Sequence, residues 1–182
     1  KSLYADGPMD PDAVLEETTA KHPPATHRPN LARLGESRAA LAPTVEASAV
    51  TAALNSFNKH SGAGPSGLRA FHLKQALVPA YADQVVDHLT TLVNLMVRGE
   101  ANTDASPWLC GALLSALPKK DGSARPIAVG EVIRRLAAKT LCAAYQEQAR
   151  GYLWPLQIGV AQPLGTEVGL QVARQWCQRH KG

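Results

Sequence analysis

The sequence has 182 residues, which is long enough for one substantial domain with its own core. Hydrophobic residues make up 45% and aromatic residues only 5%. This favours helices with small-residue packing over a β-sandwich, and no apolar run reaches the roughly 18 residues of a membrane span. The formal net charge of +4 is uneven, because residues 1–116 carry nine Lys/Arg and eleven Asp/Glu whereas residues 117–182 carry ten and four. The basic second part indicates a polyanionic partner, with a merely soluble basic surface as the alternative.

The cysteines and the first residue bear on the class of protein. Cys110, Cys142 and Cys177 are far apart and form no CxxC or Cys/His cluster, so no zinc site is predicted. We expect reduced, buried thiols in helices of an intracellular protein. The sequence opens on Lys1 and shows no secretory signal, and we expect it to be part of a longer protein.

Residues 1–43 form a predicted N-terminal extension that is partly irregular. Asp10 as N-cap with Pro11 at the first helical position predicts a short helix up to Lys21. Residues 22–29 contain three prolines and are predicted to be extended. Their two histidines have no acidic or cysteine partner, which argues against a metal site. Residues 30–42 are weakly patterned and predict a surface loop.

A glycine-rich loop separates two predicted helices in the next part of the chain. Residues 44–57 place Val50, Leu54 and Phe57 on one buried stripe. The loop over 58–65 lacks the Gly-Lys-Ser/Thr ending and the preceding strand of a nucleotide-binding P-loop. Glycines still allow a sugar-phosphate chain to approach, and a helix predicted over 66–77 offers free N–H groups. An ordinary corner between two helices is the alternative.

A long amphipathic helix and a basic hairpin follow. Residues 81–99 predict a helix with a packing role, and Trp108 is predicted to be a core residue. Apolar strands over 113–117 and 124–129 flank the string PKKDGS, whose Asp-Gly pair is a strong hairpin signal. Lys119, Lys120 and Arg125 therefore flank one turn, and such cations suit a polyphosphate or nucleic-acid backbone. On composition alone, a solvated basic turn is the more common reading.

Helices dominate the remainder. Gly130 ends the second strand and Glu131 opens a helix predicted over 132–152, with its carboxylate at the favourable end of the helix dipole. Its basic residues fall on the side opposite its apolar stripe. Residues 153–164 are predicted to be extended. A closing helix over 166–181 has Thr166 as its predicted N-cap, and its apolar side is predicted to contain Val168, Val172 and Trp176.

Three strings resemble the reverse transcriptases of eukaryotic non-LTR retrotransposons, and the resemblance covers roughly residues 44–182. The hairpin and the helix after it match the fingers hairpin of that family at Pro118, Lys119, Gly122, Arg125, Pro126, Ile127, Arg134, Arg135 and Lys139. The glycine loop matches the family's N-terminal motif at Gly62, Gly64, Pro65, Gly67, Leu68, Arg69, His72, Leu73 and Lys74. Residues 157–160, followed by Gly-Thr-Glu, look like the segment between fingers and palm.

The resemblance implies a fold that is mostly α with a small β-hairpin, the fingers subdomain of a right-hand polymerase with the palm absent. It implies that the triphosphate of an incoming nucleotide is bound by Lys119, Lys120 and Arg125. It further implies template or other nucleic-acid contacts at Gly62, Gly64, Gly67, Arg69, Lys74, Ile127, Arg134, Arg135, Gln157 and Gly159.

The same resemblance implies what lies outside this chain. The parent enzyme would copy RNA into DNA with Mg²⁺ ions held by palm carboxylates. The sequence has no Tyr-x-Asp-Asp string, so we expect no catalytic or metal-binding residue here and no activity of the chain alone. Expected partners are an RNA template, an RNA–DNA duplex, deoxynucleotide triphosphates and the parent's palm and thumb, and no membrane. The parent protein is expected to be intracellular, in the nucleus.

The alternative is a non-enzymatic nucleic-acid-binding module derived from a reverse transcriptase. In either case the low aromatic content leads us to expect few exposed aromatic side chains. We therefore expect binding mainly through the nucleic-acid backbone, with a strong salt dependence, rather than through base stacking.

Overall fold

The computed structural model describes residues 10–22, 42–119, 121 and 123–180. Its described part is mostly helical with one small antiparallel sheet, which confirms the predicted fold class at this coarse level. A short 3₁₀ turn, Thr103–Ala105, precedes the helix Ser106–Cys110. The elements in chain order are α1 (Pro11–Ala20), α2 (Ala47–Asn55), α3 (Ala70–Gln75), α4 (Ala82–Val97), α5 (Ser106–Cys110), β1 (Ala112–Pro118), β2 (Ala124–Gly130), α6 (Val132–Ala144), α7 (Gln146–Leu153) and α8 (Gly165–Arg179). The predictions for residues 23–41, Lys120, Gly122 and Lys181 lie outside the described residues.

The start of α1 is as predicted. The side chain of Asp10 accepts a hydrogen bond from the Asp12 N–H (3.2 Å), and Pro11 stands at the first helical position. This satisfies one of the free N–H groups at the helix start. Helix α1 contacts β2, so this helix of the N-terminal extension lies against the hairpin.

Helices α2, α4 and α6 contact one another and form the core. Its largest fully buried apolar side chains are Leu54, Leu136, Val50, Val93 and Val132, each of which contributes about 2 kcal/mol by burial. The core includes one polar tie: the amide of Asn94 accepts from the Val45 N–H (2.8 Å) and donates to the Val45 carbonyl (2.9 Å). This pair fixes the segment before α2 to α4, because a buried amide without partners would cost several kcal/mol.

The sheet is the predicted hairpin. Strands β1 and β2 pair antiparallel, with Leu117 opposite Arg125 and Pro118 opposite Ala124. The Lys119 N–H donates to the Ser123 carbonyl (2.8 Å) at the turn. Because hydrogen-bonded and non-hydrogen-bonded pairs alternate in an antiparallel ladder, Ala124 belongs to a non-hydrogen-bonded pair. Its N–H and C=O therefore point away from β1, toward the outer edge of β2.

Several helix ends differ from the predictions. The helix predicted over 132–152 is divided at Tyr145, whose backbone (φ −102°, ψ 6°) leaves the helical region and caps α6. The last helix starts at Gly165 after Leu164, which has a positive φ of 54°, so the predicted N-cap role of Thr166 is wrong. Gly165 lies directly against the Ile158 carbonyl, where a Cβ atom would not fit. A close backbone contact, rather than a side-chain cap, sets this helix start.

Three burial predictions are also wrong. Trp108 is 75% exposed instead of buried, because α5 is a short helix at the surface. All three cysteines are exposed. In α6 the reason is geometric: Cys142 follows the buried Thr140 by two residues, which places it roughly 200° around the helix from that position. On α8 the predicted apolar side carries Val172 at 60% and Trp176 at 62% exposure. None of the helices in the described ranges is long and apolar enough to cross a bilayer.

Candidate nucleic-acid interface

One face of the hairpin carries both cations and exposed apolar side chains. Arg125 is exposed and lies opposite Leu117. Lys119 continues the same side of β1, because side chains of a strand alternate between its two faces. Leu113, Leu117 and Ile127 share this face and are 51%, 47% and 37% exposed. Exposed apolar side chains thus lie beside cations on this face.

The turn of the hairpin is held by its aspartate. The Asp121 carboxylate accepts hydrogen bonds from the Ser123 hydroxyl (2.7 Å) and the Ser123 N–H (3.0 Å). These two bonds lower the pKa of Asp121, and the nearby Lys119 ammonium adds a smaller effect in the same direction. The turn therefore carries a fixed negative charge on Asp121. A polyanion that bound to Lys119 would compete with this carboxylate for the ammonium group. The predicted partners Lys120 and Gly122 lie outside the described residues.

The glycine loop and the start of α6 are joined directly. The Glu131 carboxylate, in a residue only 7% exposed, accepts the Ser66 N–H (2.6 Å) and the Ser66 hydroxyl (2.7 Å). A Cβ atom on Gly64 would stand 2.8 Å from the backbone N and Cα of Glu131. Only glycine allows this approach. We call Gly62, Gly64, Ser66, Glu131 and Arg135 the loop–helix joint.

The charge of Glu131 is stabilised within the joint. Burial raises the pKa of its carboxyl, but the hydrogen bonds from the Ser66 N–H and hydroxyl outweigh this effect and leave the pKa below its ordinary value. The backbone N–H of Val132 and the Arg135 guanidinium act in the same direction. Because Ser66 already occupies its oxygens, Glu131 is a structural anion rather than a free general base.

Arg135 provides the second tie of the joint. Its guanidinium donates to the Gly62 carbonyl (2.6 Å) and lies 5.7 Å from the centre of the Phe57 ring. The Lys139 ammonium lies 5.1 Å from the same ring centre. Cations over an aromatic face are attracted by its quadrupole. Phe57 thus holds two α6 cations beside the glycine loop, and Arg135 performs a structural task in addition to any contact with a template.

The other predicted residues of the glycine-loop string lie around the joint. The Lys74 ammonium donates to the carbonyls of Asn55 and Phe57 (3.0 Å each), which terminates α2. The Arg69 side chain is exposed, and its backbone N–H donates to His72 Nδ1 (3.3 Å) at the start of α3. Lys74 is therefore already engaged with its own chain, whereas the Arg69 side chain faces solvent.

Gly67 and Arg134 complete the surface near the joint. Gly67 has a φ of +78° and its N–H donates to the Gly64 carbonyl (3.0 Å), so it forms the turn that follows the close approach. Arg134 is exposed, and its guanidinium occupies the space beside Gly130 where a side chain would stand. Gly130 is thus a position at which a cation lies close to the backbone at the exit of β2.

Gln157 and Gly159 lie on a different part of the chain, in the connection between α7 and α8. The Gln157 side chain accepts from the Gly159 N–H (2.7 Å), and the Gln157 N–H donates to the Leu153 carbonyl (2.9 Å). The first bond stays within the connection, and the second joins the connection to the last residue of α7. The structure thus groups the hairpin face and the loop–helix joint around β2 and α6, with Gln157 and Gly159 on separate elements.

Two contributors to this arrangement were missed by the sequence reasoning. Glu131 was read only as a favourable charge at a helix start, and Ser66 only as the start of a helix. Neither residue carries a local signal for the other, because their partnership spans 65 positions. The shortage of exposed aromatics that the composition suggested is also wrong: Trp108, Tyr152 and Trp176 are 75%, 88% and 62% exposed.

Within the described ranges there is no group of three or more His, Cys, Asp or Glu side chains that could hold a metal ion. The sequence matches no protein-family model, and no curated protein matches it at significant similarity. The likeness to reverse transcriptases therefore rests on the matched residues of the sequence alone.

Proposed function

We propose that this chain is the fingers part of an RNA-directed DNA polymerase, which contacts the template and the triphosphate of the incoming nucleotide. The loop–helix joint carries the proposal. Gly62 and Arg135 are matched residues of the glycine-loop and hairpin strings, they are 73 positions apart, and they bond directly. Ser66 and Glu131, which lie within the same strings without being matched residues, bond across 65 positions. Two unrelated coincidences of sequence would not be expected to form a single packed unit.

The hairpin face suits a nucleotide at both of its chemical ends. Lys119 and Arg125 supply positive charge for a triphosphate, with the guanidinium able to bind two oxygens at once. The exposed side chains of Leu117 and Ile127 supply an apolar surface on which a base can lie. In the proposed enzyme these cations stabilise the charge that develops during phosphoryl transfer. The proposal does not require the described residues to bind a metal, and Mg²⁺ would be held by carboxylates elsewhere in the parent.

Salt-dependent binding of an RNA–DNA primer–template tests the nucleic-acid part of the proposal. The affinity should fall steeply with salt, and the slope of log K against log salt should become shallower by about two in a Lys119→Ala/Arg125→Ala variant, because each lost phosphate contact removes about 0.9. The control is Arg98→Ala/Arg150→Ala, which removes the same charge at the ends of α4 and in α7. Equal slopes in all three proteins would place the primer–template contacts elsewhere on the chain and would leave the hairpin cations only for the nucleotide triphosphate.

A nucleotide triphosphate distinguishes the polymerase from a module that only holds nucleic acid. Phosphorus NMR of deoxyATP should show broadening of the terminal phosphate signals by the wild-type chain and much less by Lys119→Ala/Arg125→Ala. A module without a polymerase role predicts no broadening with either protein while the primer–template still binds.

A further inference from the structure

Helix α1 occupies the outer edge of the hairpin. The Glu17 carboxylate accepts the Ala124 N–H (2.9 Å), and the Lys21 ammonium donates to the Ala124 carbonyl (2.6 Å). Glu17 and Lys21 also form an ion pair with each other. These two side chains take the two backbone groups of Ala124 that a third strand would otherwise bind. They cover an edge position with a pair of charges rather than with a strand.

The position of this contact is next to the proposed ligand site. Ala124 directly precedes Arg125, and its neighbour on the other side, Ser123, is bonded to Lys119. The Glu17 carboxylate is held as an anion, since its pKa is lowered first by the Lys21 hydrogen bond, then by the Ala124 N–H, with a smaller effect of Lys119. An internal carboxylate thus already lies in the field of a cation that a bound polyanion would use.

The rest of α1 has the same sign of charge. Asp12 and Glu16 are exposed on this helix, whose N-cap is Asp10, and Lys21 is the basic residue that follows it. A phosphate chain that approached Arg125 and Lys119 would therefore meet an acidic helix at the outer edge of β2. The negative charges of the phosphates and of α1 repel each other, and this repulsion is strongest at low salt.

We propose that α1 is an acidic cover of the hairpin, whose Glu17–Ala124 contact competes with binding of a nucleic-acid backbone at Lys119 and Arg125. This inference rests on the proposed function, because it assumes that the hairpin cations bind phosphates. When the Glu17–Ala124 contact opens, the carboxylate moves away from Lys119, while its ion pair with Lys21 stays within α1. The opening thus removes a negative charge from the edge of the proposed site.

The test measures the affinity of the full chain for the RNA–DNA primer–template at low salt. Glu17→Gln keeps an acceptor for the Ala124 N–H but removes the charge. We expect it to bind about two- to fivefold more tightly than the wild type, the range that a partly exposed ion pair supports. Glu16→Gln is the matched control, since it makes the same change of net charge at the adjacent, exposed position. Equal affinities of the two variants would overturn the proposal.

Amide exchange of Ala124 in the wild-type chain gives a second readout that does not depend on a variant. Saturating primer–template should speed the exchange of this amide, because its carboxylate partner has left. Unchanged protection of Ala124 in a saturated complex would overturn the cover. If the primer–template binds but Lys119→Ala/Arg125→Ala binds equally well, the proposed hairpin site fails, and with it the competition at that site.

Discussion

The two ends of α6 show how differently one helix can be supported. At its start, Glu131 bonds to Ser66, Arg135 bonds to Gly62, and Gly64 lies in backbone contact with Glu131. Beyond its end, α7, α8 and the connection between them leave large apolar side chains in solvent, with Tyr152 of α7 88% and Leu156 of the connection 97% exposed. The first region is specified by contacts within the chain. The second has apolar surface of the kind that marks interaction sites.

Apolar residues with the same helical spacing are buried in one region and exposed in the other. Helical spacing is followed by Val50 and Leu54 in α2 and also by Val172 and Trp176 in α8. The first two side chains are only 1% exposed, whereas the second two are about 60% exposed. An apolar stripe indicates a helix face that is more stable when it is packed against another surface. The stripe alone does not show whether that other surface belongs to the same chain.

The largest loss of stability should come from truncating a buried core side chain of α6. Leu136→Ala, at a side chain with no exposure, should lower the free energy of unfolding by about 3 kcal/mol. Leu170→Ala, at 50% exposure on α8, should lower it by less than about 1 kcal/mol. Urea unfolding followed by circular dichroism measures both. Similar losses would mean that α8 is packed as tightly as α6.

A pair of glycine substitutions should have effects of opposite sign. Gly64→Ala places a methyl group 2.8 Å from the Glu131 backbone and should destabilise the chain by about 2 kcal/mol, because two backbones must separate. Gly151→Ala lies in α7 with no atom within 4 Å and should stabilise by about 0.5 kcal/mol through helix propensity. Thermal unfolding gives the two shifts. A harmless Gly64→Ala would contradict the close approach in the joint.

The joint should also make stability depend on pH. Because the folded-state pKa of Glu131 lies below its ordinary value of 4.5, its contribution is complete above that value and is lost as the pH falls through the folded pKa. The unfolded chain binds more protons in this window, so stability rises with pH. Urea midpoints at several values between about pH 3 and 6 should rise less steeply in Glu131→Gln. The exposed Glu100→Gln is the control, and an equal flattening there would remove the special role of Glu131.

The smallest effect should be seen in tryptophan fluorescence. Trp108, Trp154 and Trp176 are 75%, 47% and 62% exposed, so the emission of the folded chain should lie close to that of the unfolded chain. An emission clearly shifted to shorter wavelength in the native state, and restored by dilution, would mean that the apolar surface of α7 and α8 is covered by a second molecule in solution.

Local signals in the sequence predicted the elements better than their ends or their neighbours. The Asp-Gly pair placed the hairpin, and Asp10 with Pro11 placed the start of α1, because turns and caps depend on adjacent residues. The division at Tyr145 and the start of α8 at Gly165 were missed, since a backbone contact with Ile158 determines the latter. No string marks such a contact in advance.

The candidate site was predictable in part for the same reason. Lys119 and Arg125 were expected to flank one turn, and the register places them on one hairpin face. The bonds of Glu131 to Ser66 and of Glu17 to Ala124 span 65 and 107 positions. In the sequence, Glu131 and Glu17 look like ordinary surface charges, because nothing near them indicates their distant partners.

We propose that the glycine loop and the hairpin form one nucleic-acid-binding unit. Amide exchange of the full chain, with and without RNA–DNA primer–template, can test this proposal at the level of single residues. We predict that residues 62–69 and 125–135 gain protection together, at the same concentration of ligand, and that Gly64→Ala reduces both gains. Protection confined to α7 and α8, with the loop and the hairpin unchanged, would contradict the claim and would assign the binding surface to the exposed aromatic residues instead.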